Sequence, residues 1–143
     1  MASVKYNEFK QKCAAAYLVG EDIRVRLVMG NTTCDTENSA IAFLDDFTTI
    51  DVCDGANYVD KALANEAVNK DDANSRAEFD ADNPTWTALE VGTRTTVGVL
   101  VYKFVTNDAD SVPISYIEFA SAVTHDGTNF TIQWNEEGIL QLA

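Results

Sequence analysis

The residues able to do chemistry are few, and their spacing limits what that chemistry can be. The 143-residue chain has one histidine, His125, in the turn His125-Asp126-Gly127. A Ser-His-Asp arrangement would need a serine delivered by the fold, and no Gly-x-Ser-x-Gly elbow is present to deliver one. A histidine in a surface turn is the plainer reading. The three cysteines, Cys13, Cys34 and Cys53, are far apart and include no Cys-x-x-Cys pair. Reduced, mostly buried thiols are therefore expected, not a zinc site or a disulfide frame. Neither a Walker loop nor a Gly-x-Gly-x-x-Gly turn occurs. Carboxylates remain. Asp71-Asp72, Asp80 with Asp82, and Asp108 with Asp110 could offer oxygens to calcium, but none sits in an EF-hand pattern. Asp80 and Asp82 would share one face of a regular strand and repel unless calcium, Arg76, Lys103 or solvent neutralises them. Paired carboxylates also hydrolyse glycosides, which requires a cleft and one raised pKa, and nothing in the sequence indicates a cleft. The residues thus point to a non-enzyme, with no metal and no cofactor.

The elements that would position these groups are mostly strands. The stretch Ser75 to Val105 organises the rest. Ala77, Phe79 and Ala81 alternate with Arg76, Glu78, Asp80 and Asp82, Asn83-Pro84 interrupts, and Trp86 opens a second short strand. From Val97 to Val105 the chain is apolar on both faces, as a strand covered front and back must be. Residues 3 to 19 read as a helix capped by Ser3 and ended by Gly20, with Tyr6, Phe9, Cys13 and Tyr17 in one stripe. Packing of that stripe on a sheet is preferred to docking of a partner. The strand Ile23 to Met29 turns Ile23, Val25, Leu27 and Met29 inward. Its Arg24 and Arg26 point outward, to pair with the molecule's own carboxylates. A short helix is expected over 39–47, with Leu44, Ile41 and either Phe43 or Phe47 inward. A short strand is expected over Ala62 to Val68, although its composition favours helix. Strands follow over Ile114 to Ala120, with Pro113 at the start, and through Phe130, Ile132 and Trp134. Gly138 breaks the pattern before a last apolar segment, Ile139 to Leu142. The expected fold is mainly β: one domain over 1–143, an antiparallel β-sandwich or barrel with an N-terminal helix and room for one further short helix. Phe79, Trp86, Leu100, Tyr102, Ile132 and Trp134 are its expected core.

Composition supports a core and narrows the partners. Apolar residues make up 46% of the chain, and 23 acidic residues against 10 basic ones give a net charge of −13. That balance opposes binding to nucleic-acid phosphates or to anionic membranes, both of which need clustered lysine and arginine. No segment has the uninterrupted apolar run of a signal peptide or a membrane span, so synthesis in a reducing cytoplasm is expected. The sequons at Asn31 and Asn129 then carry no meaning.

The segments SRAEFDADNPTWTAL and FTIQWNEEGILQL, with the opening VKYNEFKQK and the strand IRVRLVM, resemble a family of small virion structural proteins of tailed bacteriophages, from the head or tail region. The likeness runs in order along nearly the whole chain. Where that pattern leads one to expect TGYTAGG, this chain has GANYVDKA. The family pattern contains no catalytic motif, so no active-site residues follow from it. The resemblance implies a protein of the virion, made in the host bacterial cytoplasm. Within that class a capsid decoration (cement) protein fits best, tying capsomers together from outside the head. Its partners would be the major capsid protein or further copies of itself, with a trimer favoured. A tail or fibre-base component is the alternative within the class, and a carbohydrate-binding β module the alternative outside it. The candidate contact residues are Tyr6, Phe9 and Tyr17 on the helix and Ile139, Leu140 and Leu142 at the closing segment.

Overall fold

A computed structural model describes all residues, Met1–Ala143. The fold is mainly β, built of antiparallel sheets, with one N-terminal helix. In chain order the elements are α1 (Asn7–Leu18), β1 (Ile23–Met29), a single 3-10 turn (Leu44–Asp46), β2 (Lys61–Ala62), β3 (Ala67–Asp71), β4 (Arg76–Asp80), β5 (Thr85–Trp86), β6 (Thr96–Lys103), β7 (Val112–Val123), β8 (Phe130–Thr131) and β9 (Leu140–Leu142). They group into two compact units. The first comprises Met1–Glu21, Leu63–Asn83 and Gln133–Ala143, the second Asp22–Ala62 and Pro84–Ile132. The chain passes between units at points with no linker composition, so a reading along the sequence has no signal for the division.

The second unit is built on a four-stranded antiparallel sheet in the order β2-β1-β6-β7. The double-sided apolar strand β6 lies in its interior, paired with β1 on one side and β7 on the other. In the β1–β6 register Arg24 faces Tyr102, Arg26 faces Leu100 and Val28 faces Gly98, so these side chains share one face. Val25, Leu27, Val99 and Val101 take the opposite face and are fully buried. The face with the arginines is not solvent. Val28, Leu100 and Tyr102 cluster there with Cys34 and Leu44, and Phe47 and Tyr116 pack against them. The sequence expectation of an exposed arginine face is corrected accordingly. The long segment after β1 folds back over it, which strand alternation cannot announce.

Arg26 is tolerated there because every charge has a partner. Its Nε donates to Asp60 (2.8 Å), and Nη1 and Nη2 grip both oxygens of Asp108 (2.8 and 3.0 Å). Asp60 also accepts from the hydroxyls of Tyr58 (2.7 Å) and Tyr102 (2.6 Å), and the Tyr58 hydroxyl accepts the Leu27 N–H. Burial pushes both tyrosine hydroxyls far above their ordinary pKa, with the Asp60 carboxylate adding to the rise. Arg24 pairs with Asp22 and lies 3.6 Å from the centroid of the Phe104 ring. Both arginines therefore meet the chain's own carboxylates, as expected.

β7 is an edge strand blunted in two ways. Pro113 removes a ladder donor, and register irregularities interrupt its pairing with β6 near both ends. The expected 39–47 helix is reduced to the 3-10 turn: Leu44 is buried, Ile41 and Phe47 are half-buried, and Phe43 is exposed. β5 and β8 pair as a two-stranded ribbon. Trp86 is fully enclosed there, stacked on Tyr58, packed against Phe130, and donating its indole N–H to the Val59 carbonyl (2.7 Å).

In the first unit a three-stranded sheet runs β3-β4-β9, and α1 packs on β3 and β4. The strand expected over 62–68 is divided: β2 ends at Ala62 and β3 begins at Ala67, because Asn65 takes a positive φ of 56° that ends extension. Phe79 faces inward on β4 and is buried, as are Leu100, Tyr102 and Ile132 in the second unit. Trp134 is only half-buried, a correction to its expected core position. The strand expected through it stops at Thr131, since Ile132 N–H turns to the Pro84 carbonyl and the Trp134 indole N–H reaches the Asp82 carbonyl. Gly138 must be glycine: φ is +89°, and a Cβ would stand 2.6 Å from the Phe79 oxygen. That close passage delivers Ile139 N–H to the same oxygen (2.7 Å) and starts β9.

Candidate functional site

His125 is not a surface residue, contrary to the sequence expectation. It is 6% exposed, its Nε2 is 2.9 Å from the Thr96 hydroxyl, and its ring meets Phe130 edge-on. Burial holds it below the usual 6.5, with neighbouring Asp126 opposing. Thr96 also hydrogen-bonds the Cys53 thiol, whose pKa burial raises. His125 and Cys53 thus both bond to Thr96, forming a polar group inside the apolar core. Of the Asp80 and Asp82 pair, Asp82 accepts from Asn65 (2.6 Å), while one buried carboxylate oxygen of Asp80 has no hydrogen-bond partner. Arg76 pairs with Glu78, Asp71 and Glu137, and no group of three or more His, Cys, Asp or Glu side chains is placed to hold a metal ion.

The surface that stands out is the helix α1. Its inward face is small and polar. Asn7 donates to Asp72 (3.1 Å), Lys10 to the Ser75 carbonyl (2.5 Å) and Gln11 to the Val68 carbonyl (3.0 Å), while Ala14 and Leu18 are buried. These positions recur at intervals of three and four and form one face. The aromatic stripe lies elsewhere: Tyr6 is 74% exposed, Phe9 64%, Tyr17 43%, and Cys13 is also exposed. The expectation that the stripe packs on a sheet is thus corrected. Ser3 does not cap the helix, which starts after Tyr6 with no side-chain cap, while Gly20 follows its end with φ +77° as expected.

Of the closing residues, Leu142 is exposed and Leu140 half-buried on β9. Ile139 is 7% exposed and belongs to the core, a correction to its place among contact residues. Lys5, Lys10 and Lys12 stand among the first twenty residues with a single carboxylate, Glu8, before Glu21. Glu8 is itself matched by Lys12 and Lys70. In a chain of charge −13 this apolar, lysine-flanked patch is exceptional.

Two concavities lie elsewhere on the molecule. In the second unit a cavity of about 220 Å³ lies between the segment containing Cys34, Glu37, Ile41 and Phe47 and the start of β7, with Ile114 and Tyr116 on the strand side. Gly98 makes room for the Tyr116 ring, since a Cβ there would lie 2.5 Å from its hydroxyl. Burial pushes the Tyr116 hydroxyl up to about 12, and the nearby carboxylates of Glu118 and Asp35 add to the rise. Glu37 is held ionised by donors from Thr48 and Thr33. The floor is apolar, and Glu37 is the one carboxylate of the lining. In the first unit an open cleft of about 740 Å³ is lined by Asn83, Gln133, Trp134, Asn135, Glu136 and Glu137. For the first concavity the sequence offers only a faint signal, the stretch Asp35 to Asp46, in which Asp35, Glu37, Asp45 and Asp46 are mixed with Ile41, Phe43 and Leu44.

No family model matches this chain, and neither a curated protein nor a solved structure matches it. No helix is long and apolar enough to cross a membrane.

Proposed function

We propose that this chain is a structural, non-enzymatic subunit of a tailed-phage particle, most specifically a decoration protein bound to the outside of the head. Its binding surface would be the exposed end of α1, seated on the major capsid protein or on further copies of the chain. The observation that carries this reading is the inversion of α1, which holds its own unit through Asn7, Lys10, Gln11, Ala14 and Leu18 and turns Tyr6 and Phe9 to solvent. Aromatic side chains left outward by a helix with adequate inward contacts are what an interface core uses. The particle assignment comes from the sequence resemblance. The surplus of carboxylates suits a station away from the packaged genome. Its test is the composition of purified virions together with the behaviour of particles from a phage lacking the gene. Heads that assemble but break more readily on heating or osmotic shock are expected. Normal heads without tails would move the protein to the tail, and virions devoid of the chain would end the reading.

A second reading, a carbohydrate-binding module, draws on the half-buried Trp134 in a cleft lined by amides and by Glu136 and Glu137. An aromatic ring beside amides and carboxylates is the chemistry that holds a sugar. Titration with defined bacterial-surface oligosaccharides, followed by Trp134 fluorescence, separates it from the first. A saturable change lost in Trp134→Ala would favour the sugar.

A further inference from the structure

We infer that copies of this chain bind one another head to tail, Phe9 of one copy seating in the cavity beside β7 of a second copy. This rests on the reading of the chain as a structural subunit and names how such subunits hold together. Size is the first argument. A cavity of about 150 Å³ with apolar walls accepts benzene, and the one here measures about 220 Å³, enough for a phenyl ring. Its floor of Leu100, Phe47, Ile41 and Ile114 offers the apolar contact that a 64% exposed Phe9 lacks in the single chain. Charge is the second argument and selects the occupant. The lining includes Glu37, Asp35 adjoins the lining residue Cys34 in the chain, and Glu118 lies two residues from Tyr116 on the same face of β7. A chain of charge −13 would repel most of its own surface from these carboxylates, but Lys5 and Lys12 bracket Phe9 with only Glu8 among them, and Lys12 is 75% exposed. The patch and the cavity are complementary in both shape class and sign, and every copy carries both. Because the two surfaces differ, the contact is heterologous, so it closes into a ring or continues as a filament.

The test uses the full chain in solution. Sedimentation velocity over a concentration series should show species larger than one copy, which dissociate as salt rises because the rim pairs are exposed. Phe9→Ala should weaken association roughly thirtyfold or more, as removal of a central aromatic anchor does. Lys12→Glu and Glu118→Lys should each weaken it, and the double variant should recover most of the loss. Both positions are exposed, and an unfolding curve for each variant confirms that it is folded. For proximity, Phe9→Cys and Ile41→Cys are placed on separate copies, each also carrying Cys13→Ser and Cys34→Ser, because Cys34 is a free cysteine that itself lines the cavity. Oxidation of the mixture should give the mixed disulfide in excess of either like pair. A chain that sediments as one copy at every concentration would overturn the contact. So would bridging of Phe9→Cys copies to each other only, or a double charge variant no better than either single. A monomer that still binds heads would defeat this contact while leaving the phage reading intact. Association through these residues in a protein missing from virions would keep the contact and remove the phage reading.

Discussion

On β6 the side chains of Val99, Leu100, Val101 and Tyr102 are enclosed on both sides of the sheet, and even the charge facing them, Arg26, is matched to Asp60 and Asp108. On α1 and its approach the aromatics Tyr6 and Phe9 stand in solvent while Asn7, Gln11 and Ala14 turn inward. In the strand, apolar character and burial coincide, because both faces of a central strand must be covered. In the helix they diverge. Hydrogen bonds from Asn7, Lys10 and Gln11 to the β3 and β4 region fix the helix, so its aromatics are not needed to hold it. That difference separates residues that maintain the fold from residues available to a partner, and substitution can test the division.

The largest effect should come from Trp86. Its ring is fully buried between Tyr58 and Phe130 and its N–H is satisfied. Trp86→Ala should cost about 3–5 kcal/mol in urea unfolding, a large fraction of the stability of a domain this size. An unchanged midpoint would break the claim that the second unit depends on its enclosed apolar residues.

Asp60→Ala should cost a comparable ~3–5 kcal/mol, because Arg26, Tyr58 and Tyr102 all lose an acceptor in a poorly solvated place. Adding Arg26→Met sharpens the point. With the stranded guanidinium removed, the double variant should be more stable than Asp60→Ala alone, and a double variant that is less stable would argue that Asp108 suffices to hold Arg26.

Trp134→Ala should cost less than Trp86→Ala, roughly 2 kcal/mol, since the ring is only half-buried and loses less contact. Equal costs for the two tryptophans would mean that Trp134 is enclosed after all. A smaller and pH-dependent effect belongs to His125. Its folded pKa lies below the ordinary 6.5 because burial disfavours the charged ring, so the unfolded chain takes up the proton first as pH falls. Its contribution is present in full above 6.5 and is lost as pH drops below that value. His125→Gln should remove this component of the acid dependence, seen as a flatter unfolding midpoint across the range below 6.5.

How much of this was legible follows the same division. The alternation of β1 and β4, the double-sided β6 and the enclosure of Trp86 were readable, since period-two patterns report directly on faces. The covered arginine face was not, because it depends on where the 30–60 segment returns. Asn65 divided an expected strand through one positive φ, which a sequence containing few glycines does not advertise. His125 is followed by the turn signal Asp126-Gly127 yet folds inward, as its ring packs on Phe130 and its Nε2 meets Thr96. The α1 stripe was seen correctly as a stripe but placed on the wrong side. A periodic apolar pattern fixes which residues share a face and leaves open whether that face meets the same chain.

The smallest expected effect is therefore the most informative. Tyr6→Ser and Phe9→Ser remove exposed aromatic rings from a helix already held by three side-chain hydrogen bonds and by buried Ala14 and Leu18. Surface substitutions of this kind change stability by about 0.5 kcal/mol or less. Each variant should unfold at the same urea concentration as the unaltered chain and with the same slope, since neither the enclosed surface nor the compactness of the unfolded state changes. Ala14→Ser supplies the contrast. It keeps the side chain small but puts a hydroxyl into the buried face, and it should lower the midpoint measurably. If instead Phe9→Ser destabilises the chain as much as Ala14→Ser does, the aromatic stripe is part of the fold, the helix has no spare face, and a binding surface must be sought elsewhere on the molecule. A neutral Phe9→Ser with a costly Ala14→Ser leaves the aromatic end of α1 with no structural duty inside its own chain, and selection for such a residue then has to act through what it touches outside.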